Sequence, residues 1–306
     1  MISGVVINRI RETYEKILLP TQYGFRANRS TSDAIFIRRR ILELSKKSKA
    51  PVFVAFIDLK AAYDWIPRDA LFRCLDIRLR CPKLTAILRA LYTGTKACIK
   101  GGKDFFETVV GCRQGALESP PLFNIYMDFV VRAARKEVQT TIPETGFHIE
   151  YNIPNEVSPR ELRSKAPAHG NSNITELLYA DDQGIFANSV DELQQILTIY
   201  DKTFKRFGLQ MSYDKTETMV FNADVALMEK ESIVSVGDKK IKNVRKFKYL
   251  GYTITNSDNT SSFLHARMSS AFEKWNELKH ILMDKRIQLD TRIRFLTMCV
   301  RSRLFV

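Results

Sequence analysis

The sequence has few of the features that mark secreted, zinc-binding or membrane-spanning proteins. Its five cysteines form no C-x-x-C pair, so neither a disulfide framework nor a zinc cluster is indicated, and reduced intracellular thiols fit best. The first ten residues lack the apolar stretch of a signal peptide. The densest apolar run, Val52–Ile57, is too short to cross a bilayer. We therefore expect a protein that is not exported and has no membrane partner.

Acidic residues are also scarce relative to basic ones. The 306 residues include 48 Lys and Arg against 34 Asp and Glu, giving a net charge of +14 and a pI near 9.6. This excess favours a polyanion such as nucleic acid as the partner, although a ribosomal or membrane-surface protein would share it. With 45% hydrophobic residues and no internal repeat, the chain is globular, in two compact units or one elongated molecule with subdomains.

Three carboxylates stand where predicted strands end. The run Val52–Ile57 predicts a strand covered on both faces, and Asp58 follows it. Asp181 and Asp182 lie between two short apolar segments, which predict a hairpin with the acids at its tip. Any one Asp alone would more often be a turn or cap residue. Three carboxylates brought together would repel one another, which favours a divalent metal and phosphoryl transfer of the polymerase or nuclease kind.

Helical periodicity and turn residues divide the rest of the chain. Helices are predicted after Ser30, from Pro120 to about 138, from a Ser189/Glu192 capping box to Gly208, and through 264–282, and a helical region is predicted over about 68–92. A hairpin is predicted around Gly101 and strands over 216–221 and 247–254. Residues 139–175 are rich in Pro, Asn, Ser and Gly, which predicts a hairpin and a surface insertion.

Three segments resemble, in chain order, motifs A, B and C of reverse transcriptases: residues 56–64 (FIDLKAAYD), 113–124 (RQGALESPPLFN) and 179–182 (YADD). Residues 22–26 (QYGFR), followed by 29–34 (RSTSDA), are similar to a segment common in non-LTR (LINE-type) retrotransposons. The resemblance is loosest across 139–175 and 222–245. Three ordered motifs are far more specific than a lone Y-A-D-D, which occurs by chance.

The resemblance implies a right-hand polymerase fold of the α+β class, with a palm formed by an antiparallel sheet backed by helices. Its expected parts are partial fingers (1–50), a palm with motifs A to D (51–221, with 139–175 as an insertion or hairpin), a palm–thumb junction with a primer-grip hairpin (222–256) and an incomplete thumb (257–306).

Catalytic roles follow from the resemblance residue by residue. Asp58 and Asp181 resemble the two metal-bridging aspartates, and Asp182 resembles the third, supporting carboxylate at the metals. The implied cofactors are two Mg²⁺ ions, with Mn²⁺ as a substitute. Lys215 lies in a segment similar to motif D, in which a lysine protonates the leaving pyrophosphate; the alternative is a solvated surface lysine.

Nucleotide-binding roles are implied for motif A and motif B. Tyr63 resembles the bulky residue beneath the incoming sugar, where a ring excludes a ribose 2′-OH; simple core packing is the alternative. Arg113, Gln114 and Gly115 resemble the turn that meets the incoming nucleotide and the template. Glu118 departs from the family pattern, because Leu or Ile is more usual there, and it places an acid beside this turn.

Basic and aromatic residues elsewhere are expected to contact the nucleic acid. Tyr249, Leu250 and Gly251 resemble the motif E primer grip, which would hold the primer end against the metals. The basic segments 38–49 and 274–303 would contact phosphates, or form solvated faces.

The implied function is RNA-directed DNA synthesis, with an RNA template, a DNA primer and deoxynucleoside triphosphates as partners. The family's triphosphate-gripping fingers hairpin is missing before Gln22, so we expect a chain truncated at both ends. A catalytically silent nucleic-acid-binding remnant is one alternative. A metal-dependent nuclease is weaker, because motif B and Tyr63 have no purpose in it. The resemblance implies a nuclear location, while oligomeric state stays open.

Overall fold

The computed structural model describes residues 2–99, 101–102, 104–152, 169–256 and 260–304. Two compact units are present, Met1–Val244 and Arg245–Val306. The predicted limits of fingers, palm and thumb stay predictions. Among the described helices, none combines the length and the hydropathy needed to cross a membrane.

The larger unit is a sheet with helices packed on it. Its described helices are α1 (Ile2–Ile17), α2 (Thr31–Ser48), α3 (Ala62–Trp65), α4 (Arg68–Leu79), α5 (Pro82–Tyr92), α6 (Ser119–Thr141), α7 (Val190–Arg206) and α8 (Val225–Met228). Its described strands are β1 (Val52–Ile57), β2 (Lys96–Cys98), β3 (Phe105–Glu107), β4 (Phe147–Asn152), β5 (His169–Ile174), β6 (Glu176–Tyr179), β7 (Asp182–Ala187), β8 (Glu217–Phe221), β9 (Ser232–Val236) and β10 (Lys239–Asn243).

Six of these strands form one sheet in the order β6-β7-β1-β8-β10-β9. Neighbouring strands run antiparallel except for β8 and β10, which are parallel. Every residue of β1 is buried, as its apolar run predicts. Because β1 lies between β7 and β8, the residue that follows it is held at a fixed point of the sheet edge.

One face of the sheet packs on α6 and α7. Phe53, Ala55 and Ile57 of β1 share one hydrophobic cluster with Phe123 of α6 and Leu193 of α7. Alternate strand residues point to the same face, so this cluster identifies the helix-covered face. The predicted Pro-led start of α6 is confirmed, since prolines occupy its first turn.

Two helix predictions are confirmed in outline and differ in one detail each. The helical region predicted over about 68–92 is present as two helices, because Arg80 takes a left-handed conformation (φ 50°) and Pro82 begins α5. Ser189 caps α7 by accepting from the backbone N–H of Glu192, as predicted. The Glu192 carboxylate, however, accepts from the backbone N–H groups of Gly146 and Asn188. It therefore ties the β4 region to the helix start.

The predicted hairpin within 139–175 is present as β4 paired with β5. The predicted surface insertion falls on residues 153–168, which lie outside the described residues. The hairpin predicted around Gly101 is β2 paired with β3.

The smaller unit contains one hairpin and a helical segment. Its described elements are β11 (Lys246–Tyr249), β12 (Tyr252–Thr255), α9 (Thr260–Leu282), α10 (Leu289–Phe295), a π-helical turn (Leu296–Arg301) and α11 (Ser302–Leu304). The two strands pair antiparallel. The long helix predicted through residue 282 is confirmed as α9. Of its predicted apolar stripe, Leu282 is buried and Met268 is exposed.

Candidate active site

The three predicted aspartates meet at one edge of the sheet. Ile57 pairs with Gln183 across β1 and β7, so Asp58, one residue on, lies at the level of Asp182. Asp181 occupies the two-residue turn between β6 and β7, whose closing pair is Tyr179 and Asp182. The strand register therefore brings Asp58 to the adjacent pair Asp181 and Asp182, which lie far from it in sequence.

Loss of solvent and mutual repulsion both act on the carboxylates at this edge. Partial desolvation of its carboxylate, and then the negative charges of Asp181 and Asp58, raise the pKa of Asp182 to about 6, although the residue is exposed. Burial and the Asp58 charge also raise the pKa of Asp181, although a backbone hydrogen bond at Asp181 opposes the shift. A nearby cation stabilises the ionised form of carboxylates whose pKa is raised in this way.

The residues present fit a divalent metal. Oxygen Oδ1 of Asp58 is buried and has no hydrogen-bond partner among the described residues. A bound cation would supply the partner that this oxygen lacks. Carboxylate oxygens are the ligands that Mg²⁺ prefers. Among the described residues, no group of three or more His, Cys, Asp or Glu side chains could by itself hold a metal ion. Mg²⁺ at polymerase sites takes one or two carboxylates and completes its shell with water and substrate phosphates, so the two observations agree.

The motif D segment is hydrogen-bonded directly to motif A. The backbone N–H of Ser212 donates to the carbonyl oxygen of Asp58 at 2.8 Å, and the N–H of Asp58 donates to Thr216 Oγ1 at 3.3 Å. Lys215 is exposed in the turn between these two contacts. Lys215 thus belongs to the segment that is hydrogen-bonded to Asp58. The role of Lys215 as a general acid stays a prediction.

Tyr63 lies between the aspartates and motif B. Its ring stacks on Phe123 with 4.1 Å between centroids and 4° between planes. Burial, and then the charge of Asp181, raise the pKa of its phenol. The hydroxyl is buried and has no hydrogen-bond partner within the described part of the chain. The ring is therefore both a packing residue, as the alternative interpretation holds, and a wall beside Asp181.

Motif B lines a cavity of about 480 Å³ together with Tyr63. Gln114, Gly115 and Tyr63 line it together with Phe25. Gly115 has a φ of 80°, a conformation that favours glycine. The Gln114 amide donates to the Asp64 carboxylate at 2.9 Å. This cavity is large enough for part of a nucleotide, and the structure brings two of the three predicted motif B residues to it.

Arg113 has a partner that the sequence does not reveal. Its guanidinium forms an ion pair with Glu118, whose side chain is 1% exposed, and lies 5.0 Å from the centroid of the Tyr92 ring. Burial alone would raise the pKa of Glu118, but the hydrogen bond and charge of Arg113 hold it below its usual value. Glu118 therefore acts as the counter-ion of Arg113, and this guanidinium is only partly available to a nucleotide.

The predicted primer-grip residues belong to the smaller unit. Tyr249 ends β11 and is buried, while Leu250 (φ 50°) and Gly251 (φ 78°) form the turn to β12. The hairpin predicted for motif E is thus present, and its contact with a primer stays a prediction.

A mainly antiparallel sheet backed by helices, with carboxylates at the end of a central strand and at the neighbouring hairpin tip, is the arrangement of the right-hand polymerase fold. The chain belongs to the family described as reverse transcriptase (RNA-dependent DNA polymerase), which matches residues 1–254. The predicted fold class and family are therefore confirmed.

Two Drosophila melanogaster proteins are similar in sequence, and both come from non-LTR retrotransposons. The putative 115 kDa protein of type-1 retrotransposable element R1DM is 29% identical over 141 residues, covering 43% of this chain and 13% of that protein. The Pol polyprotein of type-2 element R2DM is 24% identical over 249 residues, covering 77% and 21% respectively. The chain therefore spans about a fifth or less of the length of these relatives.

Solved structures of telomerase share the fold. Apo telomerase from Candida tropicalis matches with a TM-score of 0.53 and 14% identity, covering 99% of this chain and 48% of that one. The same enzyme in complex with a fragment of telomeric RNA gives a TM-score of 0.55 and 12% identity, covering 98% and 44%. At this identity the likeness concerns the fold alone.

Proposed function

We propose that this chain is the RNA-directed DNA polymerase domain of a non-LTR retrotransposon, which extends a DNA 3′ end on an RNA template with deoxynucleoside triphosphates. The observation that carries the proposal is the sheet edge where Asp58 meets Asp181 and Asp182. A buried oxygen of Asp58 has no hydrogen-bond partner among the residues that the structure describes. The reverse transcriptase family generally uses divalent metal ions, and here we propose two Mg²⁺ ions, replaceable by Mn²⁺.

Asp58 and Asp181 would hold both ions, with Asp182 supporting them. When bound, such ions activate the 3′ hydroxyl and stabilise the charge that develops on the pyrophosphate. Tyr63 would lie beneath the sugar, because it stacks on α6 beside Asp181 and lines the cavity. Gln114 and Gly115 would position the base pair, since both line the same cavity.

Lys215 would donate a proton to the departing pyrophosphate. Its ammonium group forms no ion pair within the described part of the chain, so it is free to approach a phosphate. We also propose that Arg113 contacts the nucleotide. The primer end would be held by Tyr249, Leu250 and Gly251. A nuclear location belongs to the same proposal, because integration takes place in chromosomal DNA.

Primer extension on an RNA template with Mg²⁺ tests the proposal. The wild-type chain should lengthen a labelled DNA primer, and Asp181→Asn combined with Asp182→Asn should abolish extension while binding of the duplex persists. Asp191→Asn is a matched control, because Asp191 is an exposed aspartate in the first turn of α7. Shortening of the primer would instead indicate a nuclease.

A second candidate is a nucleic-acid-binding protein without turnover. The ion pair between Arg113 and the buried Glu118 favours it, because it occupies a cation that the motif B resemblance directs to the nucleotide. Salt-sensitive binding of primer-template by the wild-type chain, without extension at any concentration of nucleotide or metal, would select this candidate.

A further inference from the structure

The turn that carries Asp181 is supported from outside its own hairpin. Ala180, the first residue of the turn, has a φ of 58°, a left-handed conformation that residues other than glycine rarely adopt. Such a conformation persists only where the surrounding structure enforces it. The support must therefore come from whatever contacts Ala180.

Gln22 supplies this contact. Its side-chain oxygen Oε1 accepts a hydrogen bond from the backbone N–H of Ala180 at 3.0 Å and a second from the N–H of Gly24 at 2.9 Å. The Gln22 residue is 1% exposed, so water does not compete for either N–H. One buried amide oxygen thus joins the turn to a segment far away in the chain.

The backbone around Gln22 holds this oxygen in place. The N–H of Tyr23 donates to the carbonyl of Leu178 at 2.8 Å, and the N–H of Leu178 donates to the carbonyl of Thr21 at 2.9 Å. These bonds form a parallel bridge between Gln22 and Leu178 at the edge of β6. The segment is therefore joined by a single bridge to the hairpin that carries the aspartates.

Gly24 allows the segment to approach the turn. A Cβ atom on Gly24 would lie 2.4 Å from the backbone nitrogen of Ala180 and 2.9 Å from the carbonyl carbon of Tyr179. Both neighbours are backbone atoms, which cannot move without shifting the turn. Any larger residue at position 24 would thus push the turn away from the Gln22 oxygen.

We propose that Gln22 is a positioning residue for Asp181: its side-chain oxygen holds the left-handed Ala180 and so fixes where the Asp181 carboxylate meets Asp58. Gln22 contacts neither substrate nor metal in this role and acts through the turn. The inference rests on the proposed function only in taking the aspartates as metal ligands. Groups that orient metal ligands typically contribute about 10–100-fold to metal affinity.

The first test is the substitution Gln22→Met, which keeps the side-chain length and removes the acceptor. Mn²⁺ binding to the full chain is measured by titration with electron paramagnetic resonance, without nucleic acid or nucleotide. We expect Mn²⁺ binding to weaken about 10–100-fold. Hydrogen exchange of the Ala180 amide, followed by NMR, should become faster because its acceptor is gone.

Two variants act as controls. Gln22→Glu keeps an oxygen acceptor at the same place, so the Ala180 amide should stay protected and Mn²⁺ should bind more tightly than to Gln22→Met. Gln183→Met alters a glutamine of equal burial beside Asp182, whose amide atoms have no hydrogen-bond partner among the described residues. It should leave Mn²⁺ affinity unchanged.

If Gln22→Met does not fold, Gln22→Asn takes its place with the same expected results. This substitution withdraws the side-chain oxygen by one methylene.

Wild-type affinity for Mn²⁺ in Gln22→Met, or equal weakening in Gln22→Glu and Gln183→Met, would overturn the inference. Absence of Mn²⁺ binding in the wild-type chain would overturn it as well. A wild-type chain that binds Mn²⁺ but extends no primer would refute the proposed function, while a selective loss of binding in Gln22→Met would still support the role of Gln22.

Discussion

Two regions of the larger unit bury aspartate oxygens in opposite ways. Asp128 on α6 has a side chain that is 1% exposed, and its carboxylate accepts from Arg78, from Arg132 at 2.8 Å and from the backbone N–H of Leu19 at 2.6 Å. At the sheet edge, Asp58 has a buried oxygen without any partner among the described residues.

The difference separates a structural carboxylate from a functional one. A buried charge with a full set of donors joins helices and needs nothing more. A group of carboxylates that repel one another destabilises the fold slightly and is explained by a ligand that supplies positive charge. The chain carries many cations, and yet none of them pairs with Asp58 in the described part of the structure. The contrast can be tested at each residue.

The largest effect is expected from Asp58→Asn. This variant keeps the backbone hydrogen bonds to the motif D segment and removes a metal-binding charge. Extension should fall at least about 100-fold, since metal ions contribute several kcal/mol to transition-state stabilisation. The free energy of unfolding in the absence of metal should stay equal or rise, because repulsion is relieved. A large loss of stability, seen by urea denaturation, would show that Asp58 is structural like Asp128.

Asp128→Asn should have the opposite profile. The change leaves Arg78 and Arg132 without their counter-ion. We expect the free energy of unfolding to fall by about 3 kcal/mol. This value is at the lower end for a broken buried ion pair, because both arginines are partly exposed. Extension per folded molecule should be unchanged at a temperature where the variant is folded. Urea denaturation followed by circular dichroism, paired with primer extension, separates the two effects.

The pH dependence of stability gives a smaller effect. The pKa of Asp182 in the folded, metal-free chain is raised from 3.8 to about 6, so its protonated form is favoured by folding. Its contribution is fully present below pH 3.8 and is lost as the pH rises through 6. After allowance for solvent screening at this exposed residue, we expect a decrease of about 1 kcal/mol. Asp182→Asn should remove this part of the profile, and so should saturating Mg²⁺. A profile that is the same in wild type and Asp182→Asn would contradict the electrostatics described for this edge.

The smallest effect is expected from Gln183→Met, which removes a buried amide that has no hydrogen-bond partner among the described residues. Replacing an unsatisfied polar group by an apolar one of similar size is neutral or stabilising, here by less than about 1 kcal/mol. A clear loss of stability would show that the Gln183 amide has a partner such as buried water. Thermal unfolding of the two chains side by side provides the measurement.

Much of the local structure follows from neighbouring residues. The apolar run of β1, the acids at a hairpin tip, the proline-led start of α6 and the Ser189 cap of α7 are all found as predicted. The helical region predicted over 68–92 is present as α4 and α5, which Pro82 separates. Periodicity alone does not reveal such a break, because the apolar spacing continues on both sides.

The sequence by itself determined the family, the fold class and the three candidate carboxylates, because ordered motifs and strand patterns depend on short stretches of chain. Only the tertiary structure decided what surrounds them. Gln22 reaches Ala180 across 158 positions of sequence, and Glu118 becomes a counter-ion only once it is buried beside Arg113. Hydrogen bonds and charges act over a few ångströms, so contacts between residues far apart in the chain exist only after the sheet and its helices have assembled.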